Sequence, residues 1–195
     1  MTGDEVTALA RRALDAVLAG DRPPLAVAHP LDFICVPVLR TPGFGVCGHI
    51  WHDGETSDTV HSHSWHLDSL VIAGAVTNEV FAVTDDPGGA HELFEVTSTG
   101  RLDVFTPAER TVTCTAVRRE EHPAGTSYRL PAKSFHRSLP GSAGRTLTLL
   151  SATTLPDVCD QVVRPVCSAP VRPVRRRELP HPDALGFAGL LRSAL

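Results

Sequence analysis

The chain has 195 residues, of which 42% are hydrophobic and 21% are charged. This composition excludes global disorder and suffices for one domain with a buried core. The formal net charge of -4 provides no general attraction to nucleic acid or to anionic lipid. Because no apolar run approaches the roughly 20 residues that a membrane-spanning helix needs, we expect neither nucleic acid nor a membrane as a partner.

The first residues of the chain do not have the pattern of a signal peptide. Segment 1–21 contains Asp4, Glu5 and Asp15, and it lacks a basic region followed by an apolar run. The five cysteines are odd in number and widely spaced, without a CxxC pair, so we expect them to be reduced and mostly to act as small core residues. Together these features predict a cytoplasmic location.

The predicted elements begin with a helix and continue with strands. Residues 4–19 place apolar side chains near a 3.6-residue period, which predicts an amphipathic helix with Gly20 as its C-terminal cap. Short β-rich runs then alternate with turn signals. They predict strands at 33–39, 46–51, 69–84, 91–97, 101–105, 111–118, 126–130 and 145–152. The run 69–84 is too long for one strand, and Gly74 predicts a bend within it.

Strands at this spacing predict an all-β sandwich, jelly roll or small barrel. After them, residues 164–182 are rich in Pro and Arg and are expected to be extended and partly mobile. The last residues can form a short terminal helix. The predicted organisation is therefore an N-terminal helix and linker at 1–22, a β-barrel domain at 23–163, and an extended tail with a terminal helix at 164–195.

Three histidines form the most informative pattern in the chain. His61 and His63 are two residues apart, so on a β-strand their side chains point to the same face. His136 lies in another strand-like stretch some seventy residues later. Three imidazoles from two facing strands can close three sides of a metal ion and leave its other positions open to water, O2 or substrate.

The surrounding spacing extends this pattern into two motifs. The first has His-x-His, then four residues and an acid, then a Gly: His61, His63, Asp68 and Gly74. The second has a Gly, five residues and a Pro, then a position two after the Pro, a His three residues later, and a last position four after the His. These residues are Gly125, Pro131, Lys133, His136 and Pro140. These segments resemble the two signature motifs of the cupin superfamily, with Asp in place of the usual Glu, and with Lys133 and Pro140 in place of Gly and Asn.

The resemblance implies an all-β, cupin-like double-stranded β-helix (a jelly-roll barrel), a homodimer, and metal ligation by His61, His63 and His136. It leaves three roles open for Asp68, which is one methylene shorter than Glu: a fourth ligand, an acceptor for the other N–H of a ligating histidine, or a carboxylate at the edge of a strand. The first motif also looks like that of thiol dioxygenases, a cupin branch with a three-histidine iron site. In that branch a further histidine stands nearby, as His66 does here.

Three other residues are candidates for catalytic roles. His66 is three residues from His63, so on a regular strand the two side chains point to opposite faces. A turn between them would bring both to one face, where His66 can be a ligand or an acid–base group. Tyr128 is eight residues before His136, an even spacing that permits a shared face and a phenol that orients O2 or a substrate oxygen. Arg129 can anchor a substrate carboxylate. Packing or solvent exposure is the structural alternative for each.

Some pocket-lining positions also follow from strand alternation. If the strand continues in phase from His61 and His63, then Ser69, Val71 and Ala73 face the pocket. His49 shares a face with Trp51 and is expected to pack or to line the pocket, with metal binding as the alternative.

The functional hypotheses rest on one divalent transition metal per chain. Three imidazoles, with or without one carboxylate, suit Fe(II), Mn(II), Ni(II), Co(II) or Zn(II). The leading hypothesis is a mononuclear non-haem Fe(II) oxygenase, such as a dioxygenase, that acts on O2 and an amino-acid or thiol-like small molecule. One alternative is an isomerase, epimerase or lyase that uses the metal as a Lewis acid. The other is a cupin that binds a small molecule without catalysis.

Overall fold

A computed structural model describes residues 2–52, 57–99, 101–141, 144–168 and 171–195. In these ranges two helices and fourteen strands follow one another along the chain: α1 Gly3–Leu18, β1 Val27–His29, β2 Phe33–Arg40, β3 Phe44–Trp51, β4 Val60–Ser62, β5 Trp65–Ala73, β6 Ala75–Asp85, β7 His91–Thr99, β8 Leu102–Pro123, β9 Ser127–Leu130, β10 Phe135–Pro140, β11 Thr146–Thr154, β12 Asp160–Pro165, β13 Val174–Arg175, β14 Arg177–Glu178 and α2 His181–Ala194. No helix in the described ranges is long and apolar enough to cross a membrane.

The strands form two antiparallel sheets of seven strands each. The first sheet has the order β14-β1-β2-β3-β11-β5-β9, and the second has the order β13-β8-β6-β10-β4-β12-β7. From β3 to β6 and again from β9 to β12, successive strands pass repeatedly between the two sheets. This winding is that of a cupin-like double-stranded β-helix, which confirms the predicted all-β jelly-roll fold.

Two helices cover the outer face of the first sheet. Helix α1 begins with a capping box between Thr2 and Glu5, and its buried side chains include Leu14. Along β3, alternate positions face these helices, and Gly48 lies directly beneath Leu191 of α2. A β-carbon at Gly48 would collide with the Leu191 side chain, so the missing side chain permits the close approach of α2 to the sheet.

The inner faces of both sheets are left to form the core and the cavity of the barrel. Alternation along β3 turns Cys47, His49 and Trp51 inward. The strands that carry the candidate site therefore have one face against helices or solvent and the other face against the interior.

Most predicted elements have counterparts in the structure, and one differs. Gly74 has a φ of +71° between β5 and β6, which confirms the predicted bend. The predicted strands 101–105 and 111–118 are wrong as separate elements, because β8 runs continuously from Leu102 to Pro123. Its first half pairs with β7 and its second half with β6, and the chain passes through Glu109 at a φ of +54° without ending the strand.

The Pro- and Arg-rich tail takes part in both sheets. Its extended segments β13 and β14 pair with β8 and β1, respectively. Helix α2 then packs on the first sheet through Ala184, Ala188 and Leu191. The terminal helix agrees with the sequence expectation.

Candidate metal centre

The second sheet brings the three histidines of the first and second motifs together. His61 of β4 is paired directly with His136 of β10, and His63 follows His61 by two residues. The ring centroids of His61 and His136 are 4.5 Å apart, those of His61 and His63 are 4.8 Å apart, and those of His63 and His136 are 5.3 Å apart. One ring nitrogen of each lies within 4.8 Å of the others. We call these residues the three-histidine group.

Backbone carbonyls fix the orientation of two of these rings. Nδ1 of His61 lies 3.1 Å from the carbonyl oxygen of Thr59, and Nδ1 of His136 lies 2.9 Å from that of Ser134. A carbonyl oxygen only accepts, so each Nδ1 must carry the hydrogen and each Nε2 keeps its lone pair. Hydrogen bonds of this kind hold metal-ligating histidines in position in many proteins.

The third ring, that of His63, is held by stacking. It lies nearly parallel to the Trp65 ring, with centroids 3.9 Å apart. Its Nδ1 is buried and has no hydrogen-bond partner among the described residues. Since a buried polar atom without a partner is costly, this nitrogen marks a position where a ligand or metal would stabilise the protein.

Burial keeps the three-histidine group neutral. It lowers the pKa of His61, against the smaller opposing effects of the Thr59 carbonyl and the Asp160 carboxylate. Burial and the neighbouring imidazoles lower the pKa of His63 well below its ordinary value and that of His136 to about 3. Neutral imidazoles bind metals without first losing a proton, so the group is ready for ligation near neutral pH.

The histidines lie in the wall of a cavity of about 390 Å³ between the two sheets. This volume is in the usual range for sites that bind small molecules. The wall is largely apolar and aromatic, with contributions from Phe33, Trp51, Trp65, Leu67, Phe105 and Leu150. Ser69 lines the cavity as the alternation predicts, whereas Val71 is buried in the core next to Phe33, and Ala73 packs against the helix-side core.

The structure places Asp68 and Arg129 away from the three-histidine group. On β5, Leu67 and Ser69 point inward, so alternation turns Asp68 outward, where its side chain is more than half exposed. Its carboxylate lies 3.7 Å from the guanidinium of Arg129 on the neighbouring strand β9. The Asp68 carboxylate is therefore outside the three-histidine group, and Arg129 is outside the cavity wall.

His66 and Tyr128 have different positions relative to the cavity. His66 also turns outward and is not among the residues that line the cavity. Its Nδ1 accepts a hydrogen bond of 3.1 Å from the backbone N–H of Ala132. Tyr128 lines the cavity and stacks on His122 with centroids 4.7 Å apart. Burial raises the pKa of Tyr128, so its phenol stays protonated and can donate a hydrogen bond.

A second group of potential ligands faces the same cavity. Cys35, Cys47 and His49 bring their Sγ and ring nitrogen atoms within 4.8 Å of one another. From the sequence, the cysteines read as core residues and His49 as a packing or lining residue. Alternation along β2 and along β3 could have indicated that these side chains face inward. Their meeting could not be predicted, because it depends on the register between the two strands.

No protein-family model and no curated protein matches the sequence. Solved structures with a similar fold include the hydroxypropylphosphonic acid epoxidase from S. wedmorenis, at 12% identity and a TM-score of 0.42 over 68% of this chain and 56% of that one. Another is an RmlC-like cupin family protein from Methanocaldococcus jannaschii with a double-stranded β-helix fold, at 9% identity and a TM-score of 0.38 over 64% of this chain and 82% of that one. The match spans little more than half of the epoxidase chain, and at these identities the likeness concerns the fold alone.

Proposed function

We propose that the chain is a mononuclear metal-dependent cupin enzyme, and that it is a non-haem Fe(II) oxygenase for a small amino-acid or thiol-like substrate. The observation that carries the proposal is the three-histidine group: neutral imidazoles with converging nitrogens in the wall of a small-molecule-sized cavity. The proposed ligands are His61, His63 and His136, one metal ion per chain.

The residues fit such a metal. The donor set consists of imidazole nitrogens, which suit Fe(II) and the neighbouring divalent transition metals. Two of the rings are held by backbone carbonyls, and the third has a buried nitrogen that lacks a protein partner among the described residues. An Fe(II) ion bound there would supply open coordination positions at which substrate and O2 can react.

The side chains around the group would bind and orient the substrate. Trp65 stacks on His63 and, with Leu67, forms an apolar wall that excludes water from the reacting atoms. The protonated phenol of Tyr128 provides a hydrogen-bond donor to a substrate oxygen. This is the role proposed for Tyr128 from the sequence.

A cation at the cavity can take the role first assigned to Arg129. Arg40 lines the cavity, and it forms no ion pair with any residue in the described part of the chain. Its guanidinium is therefore available to a substrate carboxylate. We expect Arg40→Gln to raise KM for an acidic substrate with little change in kcat, because the guanidinium would bind a part of the substrate remote from the reacting atoms.

The deciding experiment is elemental analysis of the protein purified without a metal-chelating tag. About one iron per chain in the wild type, and none in the His61→Ala/His136→Ala double variant, would support the iron site. Asp68→Asn is the matched control, because it removes the exterior carboxylate of the first motif and should keep the metal. O2-uptake assays on amino acids and thiols would then test the oxygenase activity.

Other outcomes would redirect or end the proposal. Zinc, nickel or manganese at one ion per chain would favour the Lewis-acid isomerase, epimerase or lyase. No metal in the wild type, even after reconstitution with each cation, would contradict both enzyme hypotheses and leave a cupin that binds a small molecule without catalysis. The proposed protein is a cytoplasmic homodimer, and sedimentation analysis of the purified chain tests its oligomeric state.

A further inference from the structure

The second ligand group lies on the first sheet, across the cavity from the strands that carry the three-histidine group. Cys35 of β2 is directly opposite His49 of β3, and Cys47 precedes His49 by two residues on the same strand. Strand alternation therefore turns all three side chains to one face, and all three line the cavity. We call these residues the Cys–Cys–His group.

The separations within this group have the size that a shared metal ion requires. Zn–S bonds of about 2.3 Å and Zn–N bonds of about 2.0 Å at tetrahedral angles place sulfur and nitrogen about 3.5 Å apart, and two sulfurs about 3.8 Å apart. Sγ of Cys47 lies 3.3 Å from Nε2 of His49, and the three donor atoms lie within 4.8 Å of one another. Small side-chain rotations would bring all three into contact with one ion.

The surroundings of the group hold its imidazole in place. The His49 ring packs against the Phe33 ring at 4.2 Å and meets the edge of the Trp51 ring at 5.6 Å. Cys35 is buried between the strands. These contacts restrict the ring and the thiol before any ligand arrives, which lowers the entropic cost of binding.

The chemistry of the two thiols also favours a cation. Thiolates are soft ligands that select Zn(II) and Cu(I) over the harder Fe(II). A cation that binds them displaces the thiol protons.

We infer that Cys35, Cys47 and His49 form a second metal site for a thiolate-preferring cation of the Zn(II) class. It has three protein ligands and a fourth position directed to the cavity. The site is distinct from the three-histidine group in its ligands and its sheet. It requires neither iron nor O2, so its test is independent of the proposed function.

Cd(II) is the probe, because thiolate–Cd(II) bonds give an ultraviolet charge-transfer absorption that histidine ligation does not. The full chain is reduced, stripped of metal with a chelator and titrated with Cd(II). We expect a saturating absorption at one ion per chain that is lost in Cys35→Ser and in Cys47→Ser. It should persist in the His61→Ala/His136→Ala variant and in Cys114→Ser, a matched control for a half-buried cysteine outside the cavity.

A measurement on the unaltered protein covers the case in which the cysteine variants do not fold. Bound Cd(II) should protect Cys35 and Cys47, but not the exposed Cys167, from alkylation by iodoacetamide, as mapped by mass spectrometry. Absence of the absorption in the wild type, its persistence in both cysteine variants, or equal alkylation with and without Cd(II) would each overturn the inference. A Cys35–Cys47 disulfide that persists under reducing conditions would do so as well.

Discussion

The metal-free protein should lose stability on acidification through the buried ring of His136. The folded state holds the pKa of His136 at about 3 because the ring is buried beside His61, whereas the ordinary value is 6.5. Between these values the unfolded chain binds a proton that the folded chain does not, so the free energy of unfolding falls as the pH falls through this window. Above about pH 7 both states are neutral at this ring and the effect vanishes.

The magnitude follows from the two pKa values. Lowering the pH from 7.5 to 5.5 takes the unfolded imidazole from mostly neutral to mostly charged, which costs the folded state about 1.4 kcal/mol for His136 alone. His61 and His63 shift in the same direction and should add to the loss. The total acid sensitivity of the wild type should therefore exceed the value for one ring.

Urea unfolding of chelator-treated protein at the two pH values measures the effect. In His136→Asn, the difference between the two free energies of unfolding should shrink by about 1.4 kcal/mol relative to the wild type. His181→Gln is the control, because His181 is exposed at the start of α2 and its replacement should leave the difference unchanged. An equal pH dependence in wild type and His136→Asn would refute the reasoning, whatever the absolute stability of the variant.

Three further predictions follow from other parts of the structure. Gly48→Ala should destabilise the protein by about 1–3 kcal/mol in urea unfolding, since its β-carbon would meet Leu191. The cost should be smaller when Gly48→Ala is made in a Leu191→Ala background, and an equal cost in both backgrounds would contradict this contact. Deletion of 164–195 should reduce solubility more than metal binding, because it removes α2 and exposes the apolar side chains beneath it on the first sheet. Light scattering measures the solubility and elemental analysis measures the bound metal. Loss of metal with an unchanged circular dichroism spectrum would count against this prediction. Asp68→Asn should leave metal affinity within about threefold of wild type in a competition titration, because it breaks only a surface ion pair; a loss of tenfold or more would place the carboxylate at the metal.

The sequence predicted the features that depend on local patterns. The helix near the N-terminus followed from its 3.6-residue period, and the bend at Gly74 followed from a glycine in a run too long for one strand. The meeting of His61, His63 and His136 was predicted by an i, i+2 spacing and a motif resemblance. Such features require only neighbouring residues, since side-chain direction along a strand repeats every two residues.

The tertiary structure decided everything that depends on how strands pair. The register of β5 against β9 and β11 turned Asp68 and His66 outward, although both lie within the first motif. The register of β2 against β3 placed Cys35 opposite His49 and brought it to Cys47 and His49, which lie 12 and 14 residues further along the chain. A slip of one residue between strands reverses every inward assignment, and no local pattern fixes that slip. The sequence therefore determined the jelly-roll class and the candidate three-histidine group, whereas the pairing of distant strands determined which other side chains face the cavity.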